Sequence, residues 1–394
     1  MEGAVSGDTI QVAPGTYVIS ALGDNDPGMT RIAGGINLHT LTIEWEVPGV
    51  QPIIDLSAFA NREGNQGGRT VGIEAGPNSR NLTVRGLVLI GHQAGDAYGI
   101  NSNAGYLPGV GFNGNPASTL TIEYCKLVRW ADGVKATIYN REITVNLRYS
   151  TIEDCTGGSL THGVYMPATA AIHVLGCVFR TTTAGLRPSS NTAGHLLKSR
   201  ARVTTVRGSL FDPKAGCASC IETPNGGALT VEGNIILHYG QVSNANDNPP
   251  IKYGFEESAS SPDGTSQDGR THSIKIAQNT VRKDQPRDWS GSSNTAIGMV
   301  WVAANMTTDA RVPIAPASIP TAVRNNIIAD AGCAARTLMD YPQNSAVARS
   351  TISDLGVYSG GPIAGSPAES DAKFVWAGEF AVPTGRMDTF QGGL

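Results

Sequence analysis

The chain has 394 residues, of which 48 are Gly, while only 6% are aromatic and 16% are charged. The formal net charge is −4, whereas nucleic-acid-binding proteins have an excess of basic residues, so we expect no nucleic-acid partner. No run of about 18 apolar residues occurs, which predicts no membrane span. Apolar residues at the 3.6-residue helical period are too few for a helical bundle, and the composition favours an all-β protein with many turns.

The first predicted element is a short strand near the N-terminus. Residues 7–17 read Gly-Asp-Thr-Ile-Gln-Val-Ala-Pro-Gly-Thr-Tyr, a strand that ends in a Pro-Gly turn. This segment resembles the opening rung of pectate-lyase-like β-helix proteins. The resemblance implies a solenoid whose first coil begins here and whose ends are capped.

A repeat occupies most of the chain. Each copy alternates apolar and polar residues and ends on a small side chain, as in Leu120–Cys125 and Leu229–Asn234. The final residues of the copies are Cys125, Ser150, Cys177, Ser209, Asn234, Asn279 and Asn326. The first four intervals are 25, 27, 32 and 25 residues, which is typical of solenoid coils. The last two are 45 and 47 residues, which indicates either a long loop or an additional coil.

Stacking of these copies predicts one fold for nearly the whole chain. The small residues should form an internal ladder with rungs about 4.8 Å apart. We therefore predict a single right-handed parallel β-helix, a solenoid with capped ends and inserted loops, over residues 1–359. Residues 256–270, rich in Ser, Gly and Asp, are interpreted as an inserted surface loop, and residues 360–394 as a C-terminal cap or tail.

Candidate site residues fall at equivalent places in three neighbouring repeats. Tyr165, Lys198 and Glu222 each lie 11 or 12 residues before the ladder residue of their own repeat. His162 and His195 precede Tyr165 and Lys198 by three residues, so a His-x-x-Tyr pattern returns as His-x-x-Lys. We expect these side chains to share one outer surface, provided that a turn absorbs the one-residue difference, because strand side chains alternate between faces.

The segment 194–202, Gly-His-Leu-Leu-Lys-Ser-Arg-Ala-Arg, concentrates cationic and titratable groups in a charge-poor protein. Either a solvated basic face or a site for an anionic ligand accounts for it, since neighbouring Lys and Arg raise the local positive potential. On the second interpretation Arg200 is a candidate catalytic residue and Arg202 binds substrate. Asn225 and Tyr253 are predicted to line the same groove.

A family resemblance adds to this interpretation. The run 194–201 and the later Thr223-Pro-Asn-Gly-Gly227 are similar to bacterial right-handed β-helix repeat proteins. The Lys198-Ser199 pair resembles the alginate-lyase and chondroitinase-B-type polysaccharide lyases. That resemblance implies a Lys base, here Lys198, an Arg acid, and a Ca²⁺ ion on acidic ligands. Arg200 is the hypothesised acid, and the candidate Ca²⁺ ligands are Glu222 and Glu256.

The expected function is a polysaccharide lyase that cleaves an acidic, uronate-containing glycan by β-elimination. This reaction needs a base for the C5 proton, a cation that stabilises the enolate-like intermediate, and an acid near the leaving oxygen. Lys198, His162 or His195 could be the base, Tyr165 the acid or base, and Arg200 or a metal the neutralising charge. Such a protein is expected to be extracellular or periplasmic, its signal peptide removed, or part of a phage particle.

Two alternatives stay open from the sequence. The first is a phage tailspike-like or glycan-binding β-helix without catalysis, because the fold alone does not decide function. The second is a glycoside hydrolase that uses paired carboxylates, Glu222 with Glu256 or Asp247. The Asp-Asp pair of polygalacturonases does not occur in this sequence.

Overall fold

The structure is a computed structural model. It describes residues 4–18, 29–36, 40–57, 69–76, 79–91, 108–112, 114, 116–130, 132–136, 142–155, 162–167, 169–182, 194–214, 217–239, 250–254, 270–284, 300–302, 319, 321–324, 327–330, 339–340 and 356–358.

The strands of the described residues form three parallel sheets. The first sheet contains β1 (Thr9–Val12), β4 (Thr40–Trp45), β7 (Asn81–Arg85), β10 (Thr119–Glu123), β13 (Thr144–Arg148), β16 (Ala171–Leu175), β19 (Val203–Arg207), β22 (Ala228–Glu232), β25 (Ser273–Ala277) and β28 (Thr321–Arg324). The second sheet contains β2 (Thr16–Val18), β5 (Ile53–Asp55), β8 (Val88–Ile90), β11 (Lys126–Val128), β14 (Thr151–Glu153), β17 (Val178–Thr181), β20 (Leu210–Pro213), β23 (Ile235–Tyr239), β26 (Thr280–Asp284), β29 (Ile327–Asp330) and β31 (Gly356–Tyr358). The third sheet contains β3 (Met29–Ile36), β6 (Arg69–Ala75), β9 (Pro108–Phe112), β12 (Asp132–Ala136), β15 (Val164–Met166), β18 (Leu197–Ser199), β21 (Ile221–Thr223), β24 (Ile251–Tyr253), β27 (Val300–Val302) and β30 (Met339–Asp340).

From β1 to β30 each coil contributes one strand to each sheet, so that a strand pairs in parallel with the strand three places later, and at the end of the second sheet β29 pairs with β31. The predicted right-handed parallel β-helix is confirmed. Strand β22 pairs directly with β25, and β25 with β28, so the two long intervals are single coils with longer connections rather than additional coils. Most of the predicted loop at 256–270 and all of the predicted cap at 360–394 lie outside the described residues.

The core lies inside the solenoid and is built by alternation along each strand. In β10, Leu120 and Ile122 are fully buried, whereas the side chains between and beside them face outward. Equivalent apolar residues stack from coil to coil, as Leu120 does on Val145. Among the described residues no helix is present, and hence none that could span a membrane.

The predicted internal ladder is present at the corner between the first and second sheets. The backbone N–H of Cys177 donates to Ser209 Oγ (3.1 Å), that of Ser209 to Asn234 Oδ1 (2.8 Å), and that of Asn234 to Asn279 Oδ1 (2.9 Å). Each buried side chain thus accepts a hydrogen bond from a backbone N–H of the preceding coil, and that N–H would otherwise lack a partner. Asn326 lies outside the described residues.

A left-handed backbone conformation precedes each ladder residue that the structure describes and makes the corner. The φ angles are 63° at Gly176, 56° at Gly208 and 67° at Gly233. Glycine adopts this conformation without the steric penalty of a Cβ atom. Tyr149, with a φ of 48°, shows that the corner is required even where the residue is not glycine.

The described cysteines are buried, free thiols. Cys125 and Cys177 belong to the ladder, and each Sγ lies within hydrogen-bonding distance of a backbone carbonyl oxygen. Burial raises the pKa of both thiols to about 12. A thiol with so high a pKa is a poor nucleophile, which indicates a packing role.

Candidate functional site

The third sheet places five side chains in one outward-facing row. The strand register pairs Lys135 with Tyr165, Tyr165 with Lys198, Lys198 with Glu222, and Glu222 with Lys252. The residues on either side in each strand point into the core, so the row faces outward by alternation. We call Lys135, Tyr165, Lys198, Glu222 and Lys252 the outer row.

A turn of different length resolves the one-residue difference between the repeats. Residues 200–202 join β18 to β19, whereas 167–170 and 224–227 make the equivalent connections in the flanking coils. The turn after Lys198 is therefore one residue shorter, and Lys198 stays in register with Tyr165 and Glu222. The expectation that these three residues share a surface is confirmed.

A second set of stacked residues lies three positions before the outer row. His162 N–H donates to Asp132 Oδ1 (2.7 Å), His195 N–H to His162 Nδ1 (3.1 Å), and Ser219 N–H to His195 Nδ1 (3.1 Å). We call Asp132, His162, His195 and Ser219 the polar column. Each of its first three side chains accepts a backbone hydrogen bond from the next coil, which fixes the strand starts relative to one another.

Glycines allow the coils to approach closely beside the polar column. A Cβ atom on Gly133 would lie 2.6 Å from the carbonyl oxygen of Gly163, and one on Gly163 would lie 2.4 Å from that of Leu196. Both distances are far below van der Waals contact. The absence of a side chain at Gly133 and Gly163 is therefore a condition for the stacking that builds the site.

Glu222 is the most buried member of the outer row, with 2% of its surface exposed. His195 Nε2 lies 2.7 Å from Glu222 Oε2, Lys198 Nζ lies 3.5 Å from the same oxygen, and Lys252 Nζ lies 3.9 Å from Oε1. Burial opposes ionisation of this carboxyl group. The attraction of His195, Lys198 and Lys252 outweighs burial and lowers the pKa of Glu222, so it is a carboxylate at neutral pH.

Backbone contacts fix which nitrogen of each histidine ring carries its hydrogen. In both rings Nδ1 accepts a backbone N–H, so the ring N–H is on Nε2. The Nε2 atom of His195 accordingly faces the Glu222 carboxylate. Burial, together with the nearby His195 and Lys198, lowers the pKa of His162 well below its ordinary value. Neither ring offers a free lone pair to a substrate proton.

The other end of the site contains a buried Asp–Lys pair. Lys135 Nζ lies 3.5 Å from Asp132 Oδ2 and 5.6 Å from the ring centroid of Tyr165. Burial raises the pKa of Asp132 to about 6, despite the opposing attraction of Lys135. Burial likewise lowers the pKa of Lys135. The Asp132–Lys135 pair therefore places a titratable carboxyl group and a titratable amine close to Tyr165.

Arg200 and Asn225 lie in a separate cluster in the turns after β18 and β21. Arg200 Nη1 donates to Asn225 Oδ1 (2.8 Å), while Arg270 donates to the backbone oxygens of Asn225 (3.0 Å) and Arg200 (3.2 Å). All three side chains are buried. The contacts tie neighbouring turns together, and the structure does not bring Arg200 or Asn225 into the outer row.

Tyr253 and Arg202 also lie away from the outer row. Tyr253 is fully buried, and its hydroxyl donates to the backbone oxygen of Gly227 (2.6 Å). It follows Lys252 in the strand and so points into the core, which corrects the prediction that it lines a groove. Arg202 is a half-buried turn residue directly before β19, on the first sheet.

The described residues do not fit the Ca²⁺ ion that the resemblance implies. Calcium requires six to eight oxygen ligands, several of them carboxylates. The Glu222 oxygens instead face one histidine and two lysines, whose charge would repel a cation. No group of three potential ligands occurs among the residues that the structure describes. The other proposed ligand, Glu256, lies outside them.

Four members of the outer row and polar column were missed by the sequence analysis. Lys135 and Asp132 repeat the spacing of His162 and Tyr165, since Asp-Gly-Val-Lys precedes His-Gly-Val-Tyr by one coil. Ser219 stands three residues before Glu222 in the same manner. Lys252 follows a long connection, so its distance along the chain gave no signal.

Comparison with protein-family models, with curated proteins and with solved structures gave no match.

Proposed function

We propose that the protein is a polysaccharide lyase that cleaves an acidic, uronate-containing glycan by β-elimination at the outer row. The observation that carries this proposal is the register of Tyr165 between Lys135 and Lys198 on an outward-facing strand surface. A glycan along this surface would meet a proton-exchanging group with a cation on both sides. This arrangement matches the needs of the reaction.

The lysines supply the charge that the reaction requires. Removal of the C5 proton of a uronate leaves negative charge on the sugar carboxylate, and nearby cations stabilise the transition state that leads to it. Lys135 lies in an ion pair with Asp132, and Lys198 in one with Glu222. Lys135 and Lys198 lie one strand spacing to either side of Tyr165, about 4.8 Å each way along the sheet.

Tyr165 is the best candidate for proton transfer. His162 and His195 have their Nδ1 atoms occupied and their protons on Nε2, and Lys198 faces the Glu222 carboxylate. In the proposed step the phenolate oxygen of Tyr165 accepts the C5 proton and the bond from C4 to the glycosidic oxygen breaks. The phenol then returns the proton to the departing oxygen. The products are a 4,5-unsaturated uronate and a free hydroxyl group.

The spacing of Asp132 and Glu222 does not suit glycoside hydrolysis. Glycosidases need two carboxyl groups about 5 to 9.5 Å apart. Asp132 belongs to β12 and Glu222 lies in β21, three strands further along the third sheet, or about 14 Å. Asp247 and Glu256, the other carboxylates considered, lie outside the described residues.

The proposal is tested by incubating the protein with alginate, pectate, hyaluronan and chondroitin. We expect a rise in ultraviolet absorbance from the conjugated double bond of the product with at least one of them. Tyr165→Phe should lower kcat by about 10²-fold or more, the usual contribution of a proton-transfer group, and leave binding unchanged. Lys275→Met is the matched control, because Lys275 pairs with Glu232 on the first sheet, away from the outer row.

Two results would contradict the proposal. One is the absence of unsaturated product with all four glycans, in which case measured binding without cleavage would favour a glycan-binding β-helix. The other is full activity of Tyr165→Phe, which would remove the residue on which the proposed mechanism depends.

A further inference from the structure

Charge alternates along the outer row with a period of two coils. The lysines occupy β12, β18 and β24, while Tyr165 and Glu222 occupy the strands between them, β15 and β21. Neighbouring strands of a sheet are about 4.8 Å apart, so successive lysine positions are separated by about 10 Å. The row therefore offers a cation at every second coil and never at two coils in succession.

A linear glycan that contacts several members of the row must run along the solenoid axis. In an extended chain the length of a disaccharide is close to the separation of alternate coils. Negative charges on every second sugar would then meet Lys135, Lys198 and Lys252 in turn. The intervening sugars would lie over Tyr165 and Glu222.

Glu222 is the residue at which a glycan with a carboxylate on every second sugar and a glycan with one on every sugar would make different contacts. It is an almost fully buried carboxylate whose oxygens lie between Lys198 and Lys252. A glycan with a carboxylate on every sugar would bring one of them against Glu222. Like charges that meet in a site poor in water repel strongly, and this repulsion is a common source of specificity.

We propose that Glu222 is a specificity-determining residue that selects linear glycans with one carboxylate per disaccharide over glycans with one on every sugar. This inference rests on the proposed function, because it assumes that the outer row binds an acidic glycan. It adds the class of glycan and assigns the selection to one side chain.

The test is a comparison of binding in the Tyr165→Phe background, where cleavage does not interfere. Hyaluronan oligosaccharides carry one carboxylate per disaccharide, and oligogalacturonates of equal length carry one on every sugar. We expect hyaluronan to bind at least about tenfold more tightly at the same salt concentration. Adding Glu222→Gln should reduce this preference to about threefold or less, mainly through tighter binding of oligogalacturonate.

Glu232→Gln is the matched control, because Glu232 also lies between two cations, Arg207 and Lys275, but on the first sheet. It should leave the preference unchanged. Equal affinities of the Tyr165→Phe protein for the two ligands would overturn the inference, and this measurement does not depend on whether Glu222→Gln folds. A Glu222→Gln protein that folds and keeps the full preference would overturn it as well. If neither ligand binds, the inference is overturned, and the assay with four glycans decides the proposed function separately.

Discussion

At the scale of single residues, Asp132 couples the site to pH. It is fully buried, and its pKa of about 6 is above the ordinary value of an aspartate because burial disfavours its charged form. The folded protein therefore holds this proton more tightly than the unfolded chain does. As the pH rises from about 4 through 6, the unfolded chain gives up the proton first, and the folded state loses stability relative to it.

Asp132→Asn should remove this dependence. The amide oxygen can still accept the His162 N–H, but it does not ionise. The melting temperature of the variant minus that of the wild type should increase from pH 4 to pH 7.5, since only the wild type pays the cost of a buried charge. Thermal melts across this range measure the difference. Parallel pH profiles for the two proteins would show that Asp132 does not titrate in this window.

The residues of the candidate site differ in how far the sequence predicted them. His162, Tyr165, Lys198 and Glu222 were found because their spacing from the ladder residues recurs. The positions of Arg200 and Tyr253 were not predictable, because one residue decides whether a side chain faces outward or inward. That decision depends on where each strand ends and its turn begins, which the pattern of apolar residues leaves open.

At the scale of elements, the close approach of β15 and β18 depends on a glycine. A Cβ atom on Gly163 would lie 2.4 Å from the Leu196 carbonyl oxygen, which is backbone and cannot rotate away. Gly163→Ala should therefore push the two strands apart at the start of the outer row. We expect a loss of about 1–3 kcal/mol in the free energy of unfolding, as for other overpacked sites. Urea denaturation measures this loss.

Gly208→Asn is the control for this substitution. Gly208 has a φ of 56°, and a Cβ atom there would meet nothing within 4 Å. Asparagine tolerates the left-handed conformation better than most residues, so the change should cost about 0.5 kcal/mol or less. If Gly163→Ala were as mild as this control, the argument that glycine is required between the coils would be wrong.

Strands and turns were the most predictable level of the structure. The copies of the repeat that end at Cys125, Ser150, Cys177 and Ser209 correspond to strands of the first sheet followed by a corner residue. Alternation and the small ladder residue recur in the seven coils whose first-sheet strands run from β10 to β28, so each copy of the repeat strengthens the prediction of the others. The third sheet was harder to predict because strands such as β15 and β18 have only three residues.

At the scale of the whole molecule, neighbouring coils are joined by the ladder, in which the Asn234 side chain makes three hydrogen bonds. Its Oδ1 accepts the Ser209 N–H, and its Nδ2 donates to the Val206 carbonyl oxygen (3.0 Å) and to Asn279 Oδ1 (2.9 Å). In a solenoid each coil contacts only its neighbours, so stability is close to a sum of coil and interface contributions. A weakened interface should therefore divide the molecule into separately melting parts.

Asn234→Ala should leave buried backbone groups unpaired at one coil interface. Each such group costs about 1–3 kcal/mol. We expect a lower melting temperature and a broader transition, which separates into two steps in a calorimetric scan. Asn146→Ala provides the comparison, because Asn146 faces outward on β13 and its loss should be nearly neutral. A single sharp transition for Asn234→Ala, with the melting temperature of wild type, would contradict a role for the ladder in coupling coils.

The unbroken register of the third sheet from β12 to β24 has a consequence for how the outer row would change. Each coil adds one side chain to the outer row, so the excision of one whole coil would shorten the surface by one position without altering the rest. Loss of the coil that carries β15 would make Lys135 and Lys198 neighbours and remove Tyr165 between them. Such a protein would present adjacent lysines, and it would lack the phenol on which the proposed cleavage depends. Under the proposed function, gain or loss of a coil would thus change the spacing of anionic groups that the outer row matches in a single step.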